Sequence, residues 1–296
     1  MRRFFVHAAA VLAAVPTSAP AGGPPAAQLM AIVFPGWDAA ASTHVQTVTL
    51  PHMPGITRAG AANWHAGPNQ VLAEPQLVLR TDAAHLTLVT GLVPADDKGK
   101  PEVSHVLPMA LAAYQFEQRG GTWALAGRQD VFALRGFFGE ARLRAVELAG
   151  QRQAVGVEYG SCWQGYCGSW LALFELNKDK VSREPAVEMA LSGTNVDSTS
   201  DCTRRLQPLI KPRAQDPAAR DEGIAPDSHD CYAIESSWAI EPSRGQPGDI
   251  VIHYQGAISR AEAHAAPPVA VDQRQVLRYG GGRYRAVSGF NPVPSI

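Results

Sequence analysis

The chain has 296 residues, with 26 Lys and Arg against 27 Asp and Glu, and a formal net charge of −1. Its basic residues are scattered, as at Arg142/Arg144, Arg204/Arg205 and Arg283/Arg285. Nucleic acid and anionic membrane surfaces both call for clustered positive charge, so neither is an expected partner. The length is enough for one large all-β domain or two smaller ones.

Residues 1–21 have the layout of a secretory signal peptide. Arg2 and Arg3 give a positive start, residues 4–15 an apolar run, and Ala19-Pro20-Ala21 a cleavage site. The run is shorter than the ~20 residues that cross a bilayer, so no stable membrane span is expected after signal removal. Arg2-Arg3-Phe4-Phe5-Val6 also looks like a twin-arginine export address. No cysteine follows the run to take a lipid. The expected location is periplasmic or secreted, where an even count of 4 cysteines favours disulfides over metal thiolates.

Residues 22–28 are rich in Pro, Gly and Ala and read as a disordered linker. An all-β domain is expected over residues 29–290. Strand-like runs occupy residues 76–80 and 85–93 around a turn at 81–84, then 109–117 and 122–126 around Gly120-Gly121. Residues 141–148 alternate like a strand, although their Ala, Leu, Arg and Glu content also suits a helix. The pattern continues at 154–160, 168–176 and 187–191, and later at 249–254, 276–279 and 283–287, the last two joined by Gly280-Gly281-Gly282. Residues 94–101 form a charged loop, 207–230 a polar insertion loop between two cysteines, and 291–296 a Pro-containing C-terminal tail. Short antiparallel strands and hairpins point to a β-sandwich, with a propeller-like arrangement as the alternative.

Half of the cysteines fall in Ser161-Cys162-Trp163-Gln164-Gly165-Tyr166-Cys167-Gly168-Ser169-Trp170. The stretch from Gln164 to Trp170 resembles the active-site segment of papain-like cysteine peptidases, and Gly160-Ser161-Cys162-Trp163 echoes its second half. The resemblance implies an oxyanion-hole glutamine at Gln164 and a structural cysteine at Cys167. The nucleophile is missing, because Ser169 is followed directly by Trp170. The family's histidine lies ~130–150 residues downstream, and His229, His253 and His264 all come too early.

A structural reading sets Cys162 opposite Cys167 across a hairpin. Tyr159 then faces Trp170, Val157 faces Ala172 and Val155 faces Phe174, one apolar face for the core. The other face, with Glu158, Glu175, Leu171 and Leu173, reads as a mixed surface carrying two solvated glutamates. Their offset along the strands is too large for a paired-carboxylate glycosidase. Cys202 and Cys231 are the remaining pair, closing the polar insertion, although 4 cysteines permit other pairings.

His44, His52, His65 and His85, with Asp38 and Asp82, supply metal-ligating types in the N-terminal third. No pair has strand or helix spacing that forces convergence. Ser192, Ser198 and Ser200 lack a nucleophile elbow. No catalytic residue, cofactor or resident metal is assigned. Trp163, Gln164 and Tyr166 are the candidate partner-binding residues, two amphipathic aromatics and an amide on a pinned tip. The expected function is an exported, disulfide-stabilised β protein with a binding or structural role, its partner a protein or glycan. The alternative is a periplasmic hydrolase, with the N-terminal histidines as candidates for metal assistance.

Overall fold

The computed structural model describes residues 24–38, 45–53, 64–149, 152–177, 180–210, 229–243, 246–263 and 266–295. The proposed signal peptide, His44 and most of the polar insertion loop lie outside the described residues.

The first element is a helix. α1 (Ala26–Val33) follows Pro24-Pro25 and buries Leu29, Met30, Val33 and, just past its end, Phe34. The expected linker over 22–28 therefore needs correcting, because Ala26 to Gln28 form the first helical turn. The apolar i, i+1, i+4, i+5 spacing outweighs the loop-like composition.

Five strands follow as an antiparallel meander: β1 (Val45–Leu50), β2 (Gly67–Arg80), β3 (His85–Pro94), β4 (Met109–Arg119) and β5 (Thr122–Arg135). The sheet curls so that β1 approaches β5, and α1 lies in the hollow against β2 and β5. Its inner face contributes Val48, Val71, Leu88, Leu92, Tyr114 and Phe116 to a core closed by the helix.

The second sheet has nine strands. It contains β6 (Arg142–Ala149), β7 (Arg152–Trp163), β8 (Tyr166–Asn177), β9 (Lys180–Val181), β10 (Val187–Thr194), β11 (Cys231–Ser243), β12 (Gln246–Ser259), β13 (Val269–Gly280) and β14 (Arg283–Ser288). Their order is β14-β13-β12-β11-β10-β8-β7-β6, with β9 paired to β8. This sheet also curls: β6 reaches β11 and β12, and the Tyr284 amide of β14 donates to the Ala186 carbonyl ahead of β10. Leu171, Leu173, Ile234, Ile252, Tyr254 and Leu277 fill its interior. A third core joins the sheets, with Leu79, Val89, Leu111 and Phe132 against Val155, Val157, Ala172 and Phe174.

The antiparallel all-β expectation holds, in a form more curled than a flat sandwich. Eight of its nine strands run as one continuous path rather than as separate blades. The stretch expected at 141–148 is strand, not helix, over Arg142–Ala149. Helix α2 (Ser200–Ile210) takes the first residues of the expected insertion loop. The C-terminal tail stays outside the ladders but is anchored, because Asn291 Nδ2 donates to the Ala190 carbonyl at 2.9 Å.

The register predicted for β7 and β8 is present residue for residue, from Val155↔Phe174 through Tyr159↔Trp170 to Cys162↔Cys167. The ladder continues one pair beyond the cysteines, to Trp163↔Tyr166, which leaves a two-residue turn. The reading of the opposite face as a mixed surface is overturned. Ala154, Leu171 and Leu173 are fully buried, because β7 and β8 lie between two cores. Its glutamates are engaged rather than solvated. Glu158 accepts from Trp238 Nε1 at 3.0 Å and pairs with Arg144 at 3.4 Å. Glu175 accepts from Arg152 at 2.7 Å.

Candidate functional site

Both disulfides are formed, Cys162–Cys167 with Cα atoms 4.0 Å apart and Cys202–Cys231 with Cα atoms 5.2 Å apart. They belong to one connected construction. Gln164 and Gly165 turn the hairpin with φ of 50° and 84°, the positive pair that a two-residue turn between twisted strands requires. Gly165 sits directly on the backbone of Asp197 and Ser198. That turn is fixed by Asn195, whose carbonyl accepts from the Ser198 amide and hydroxyl. The Asn195 side chain accepts from the Tyr232 amide at 2.7 Å and donates to the Asp230 carbonyl at 2.8 Å, extending the β10–β11 ladder. The turn then leads into α2, where Cys202 is tied to Cys231 at the start of β11.

α2 is locked down by a buried charge network. Arg205 donates from Nε to Ser259 Oγ at 2.8 Å and from a terminal nitrogen to the Arg260 carbonyl at 2.6 Å, and it pairs with Asp201 at 3.3 Å. Arg204 pairs with Asp201 at 2.7 Å. At the far end of the polar insertion, Asp230 accepts from the Ala261 amide and from Arg260. Those contacts hold its carboxyl below the usual value of 3.8, the amide foremost.

At the tip, Trp163 is 60 % exposed and stands on the same face as Ser161, Tyr159 and Trp170. Its ring lies 4.8 Å from that of His105, which in turn lies 5.2 Å from Phe138 and 5.8 Å from Phe137. Phe137 continues to Trp170 at 5.9 Å, and Trp170 stacks on Tyr159 at 5.7 Å. Backbone bonds hold the two contributing loops together, Phe138 N–H to the Ser104 carbonyl and Gly139 N–H to the Leu107 carbonyl. Ser161 Oγ lies 2.7 Å from His105 Nε2, which ties the loops to the hairpin. Tyr159 donates to Glu188 at 2.6 Å, and burial together with that carboxylate raises its phenol pKa.

The three candidate residues therefore separate. Trp163 joins the aromatic run, and Gln164 is exposed on the turn. Tyr166 is half-buried and near enough to Tyr232 to raise that phenol's pKa, after burial itself. His105, Phe137, Phe138 and Ser161 were missed by the sequence reading. Their contacts bridge 22 to 58 positions, as from His105 to Ser161 at a separation of 56, and no local motif signals them.

Beside the aromatic run a cleft of about 470 Å³ opens between the sheets, lined by Glu74, Gln76, Phe137, Phe138, Glu140, Arg142 and Tyr159 among others. Among the described residues, Glu74, Glu140 and Arg142 make no side-chain hydrogen bond or ion pair with the protein. Among the described N-terminal histidines, His52, His65 and His85 do not line the cleft. His85 pairs with Asp82 at 2.9 Å, and His65 contacts the Pro68 carbonyl. Among the described residues no three His, Cys, Asp or Glu side chains are placed to hold a metal ion. No described helix is long and apolar enough to cross a membrane. Comparison of the chain with protein-family models, curated proteins and solved structures returns no match.

Proposed function

We propose that this chain is an exported, disulfide-stabilised β protein that binds a partner, protein or glycan, through the aromatic surface centred on Trp163. One observation carries the reading. Nine large hydrophobics are exposed among the described residues, and Val103, Val106, Phe138 and Trp163 lie on the His105 loop and the two segments packed against it. Exposed apolar groups gathered in this way mark interaction sites, and rigid amphipathic aromatics are the usual anchors. Export is supported by the N-terminal pattern and by the two disulfides, which persist in oxidising compartments.

The test uses a photo-crosslinking residue at position 163 and, as control, at exposed Val287 on β14. Adducts from envelope extract are expected at 163 and not at 287, and they should disappear in Phe138→Ala. Equal labelling at both positions sinks the binding reading. N-terminal sequencing of the envelope-derived protein should begin at Gly22; an intact Met1 in a reduced cytosolic chain removes the export reading.

A second reading has one observation in its favour. The Ser161–His105 contact is the first step of an activated serine nucleophile. Among the described residues no carboxylate orients the other ring nitrogen of His105. A hydrolase predicts fluorophosphonate labelling of the full chain that vanishes in Ser161→Ala; no labelling removes it.

A further inference from the structure

The aromatic surface and the cleft are one site, because Phe137, Phe138 and Tyr159 belong to both. Each part constrains the ligand differently. The rings present flat apolar faces, with Trp163 and Phe138 open to solvent. The cleft presents Glu74, Glu140, Arg142 and the Gln76 amide. Glu158, which also lines the cleft, is paired internally with Arg144, as the neighbouring Glu188 is with Arg135 and Glu175 with Arg152. Glu74, Glu140 and Arg142 are left with open hydrogen-bonding capacity beside an aromatic wall.

A pyranose chain answers both demands. Each sugar ring has an apolar C–H face that packs on an aromatic plane and a rim of hydroxyls that both donate and accept. Carboxylate, amide and guanidinium groups can each contact two adjacent hydroxyls. A protein partner needs ~800 Å² of complementary surface on each side. Here the polar groups converge in a concavity inside the ~300–1,000 Å³ range of small-ligand sites. Two unpaired carboxylates to one guanidinium also set the sign. They repel uronates, sulfated and phosphorylated sugars, and they tolerate neutral sugars. Sugars carrying ammonium groups gain from the carboxylates and from the ring faces.

We propose that the Trp163 surface and the adjoining cleft bind an oligosaccharide that is neutral or carries amino groups, with successive rings seated from the cleft out to Trp163. The proposal rests on the binding reading above and narrows it to one ligand class.

The test is calorimetric and fluorescence titration of the full chain, both disulfides formed, with three tetrasaccharides. The probes are neutral N-acetylated chitotetraose, its fully deacetylated form and anionic tetragalacturonate. The first two are expected to bind, with tetragalacturonate at least roughly tenfold weaker. Trp163→Ala and Phe138→Ala should each weaken binding roughly tenfold or more, with the thermal midpoint monitored to show that the fold survives. Glu140→Gln should weaken the deacetylated tetramer more than the acetylated one. Absence of binding by both chitin-derived probes, tightest binding of tetragalacturonate, or affinity unchanged in both aromatic variants overturns the proposal. A crosslinked protein at position 163 together with inert sugars rejects the oligosaccharide and keeps a binding site there. No adduct and no sugar binding rejects both.

Discussion

Replacing Gly165 with alanine tests how firmly the hairpin tip is seated, and the molecule supplies its own control. Gly165 has φ 84° as the second residue of a two-residue turn, and Gly121 has the same φ of 84° in the turn joining β4 to β5. An alanine at either position takes on left-handed strain of ~1–2 kcal/mol. The surroundings differ. A Cβ on Gly121 meets nothing within 4 Å, whereas one on Gly165 falls 2.3 Å from the Asp197 carbonyl and the Ser198 amide nitrogen. Backbone cannot swing aside as a side chain does, so the tip or the 195–198 turn must shift, at an overpacking cost of ~1–3 kcal/mol. Gly121→Ala should therefore lose ~1–2 kcal/mol and Gly165→Ala ~2–5 kcal/mol. Urea unfolding of the oxidised protein is the assay. At a slope of ~2–3 kcal/mol/M, the ~1–3 kcal/mol gap between the variants is roughly 0.3–1.5 M in midpoint. Equal midpoints, or a larger loss from Gly121→Ala, would refute the claim that the tip is packed against the 195–198 turn.

The disulfides should rank by loop length. Their sequence separations of 29 and 5 correspond to ~3.5 kcal/mol lost in Cys202→Ser/Cys231→Ser and ~2 kcal/mol in Cys162→Ser/Cys167→Ser. Equilibrium unfolding gives the order, and non-reducing peptide mapping checks the pairing. Arg205→Leu removes the guanidinium that Asp201, Ser259 and the Arg260 carbonyl share, and should cost ~3–5 kcal/mol; a loss below ~1 kcal/mol would show that Arg204 suffices for Asp201. The acid limb should depend on Asp230 and Asp249. The Ala261 amide lowers the first, aided by Arg260, and a hydrogen bond from Arg278 lowers the second. Because both folded values lie below 3.8, their stabilising contribution is complete above that pH and is lost as pH falls through the lowered values. Asp230→Asn and Asp249→Asn should flatten stability against pH below ~4; an unchanged slope would contradict the linkage.

The parts of this fold legible in the sequence are those specified locally. The β7–β8 register could be written down because two cysteines and a period-2 apolar pattern fix it without knowledge of the rest. The β13–β14 turn was legible through Gly280-Gly281-Gly282. The buried opposite face of the same hairpin was not. Ala154, Gly156 and Glu158 resemble solvent-facing positions, yet the first two are buried, and Glu158 becomes tolerable there because Trp238 of β11, 80 positions away, donates to it. α1 was hidden by composition, and α2 by the polar insertion it enters. The aromatic site was half legible. Trp163 stands out in sequence, but its partners His105 and Phe138 lie on separate loops that meet only when β4 and β5 bring the ends of the first sheet against β7.

The two disulfides look independent by sequence position, yet physically they are in series. Cys162–Cys167 closes the hairpin, Gly165 rests on Asp197 and Ser198, Asn195 holds that turn to Tyr232, and Thr203 Oγ1 donates to the Val196 carbonyl. Cys202–Cys231 then fixes α2 to the strand that carries Tyr232. The exposed ring of Trp163 is thus at the end of a relay of backbone contacts and covalent bonds, not on a free loop. An aromatic held in place before its ligand arrives loses little conformational entropy on binding. On the proposed binding reading, rings on a doubly anchored hairpin are favoured for that reason, and loss of the Cys202–Cys231 bridge is expected to loosen a surface it does not touch.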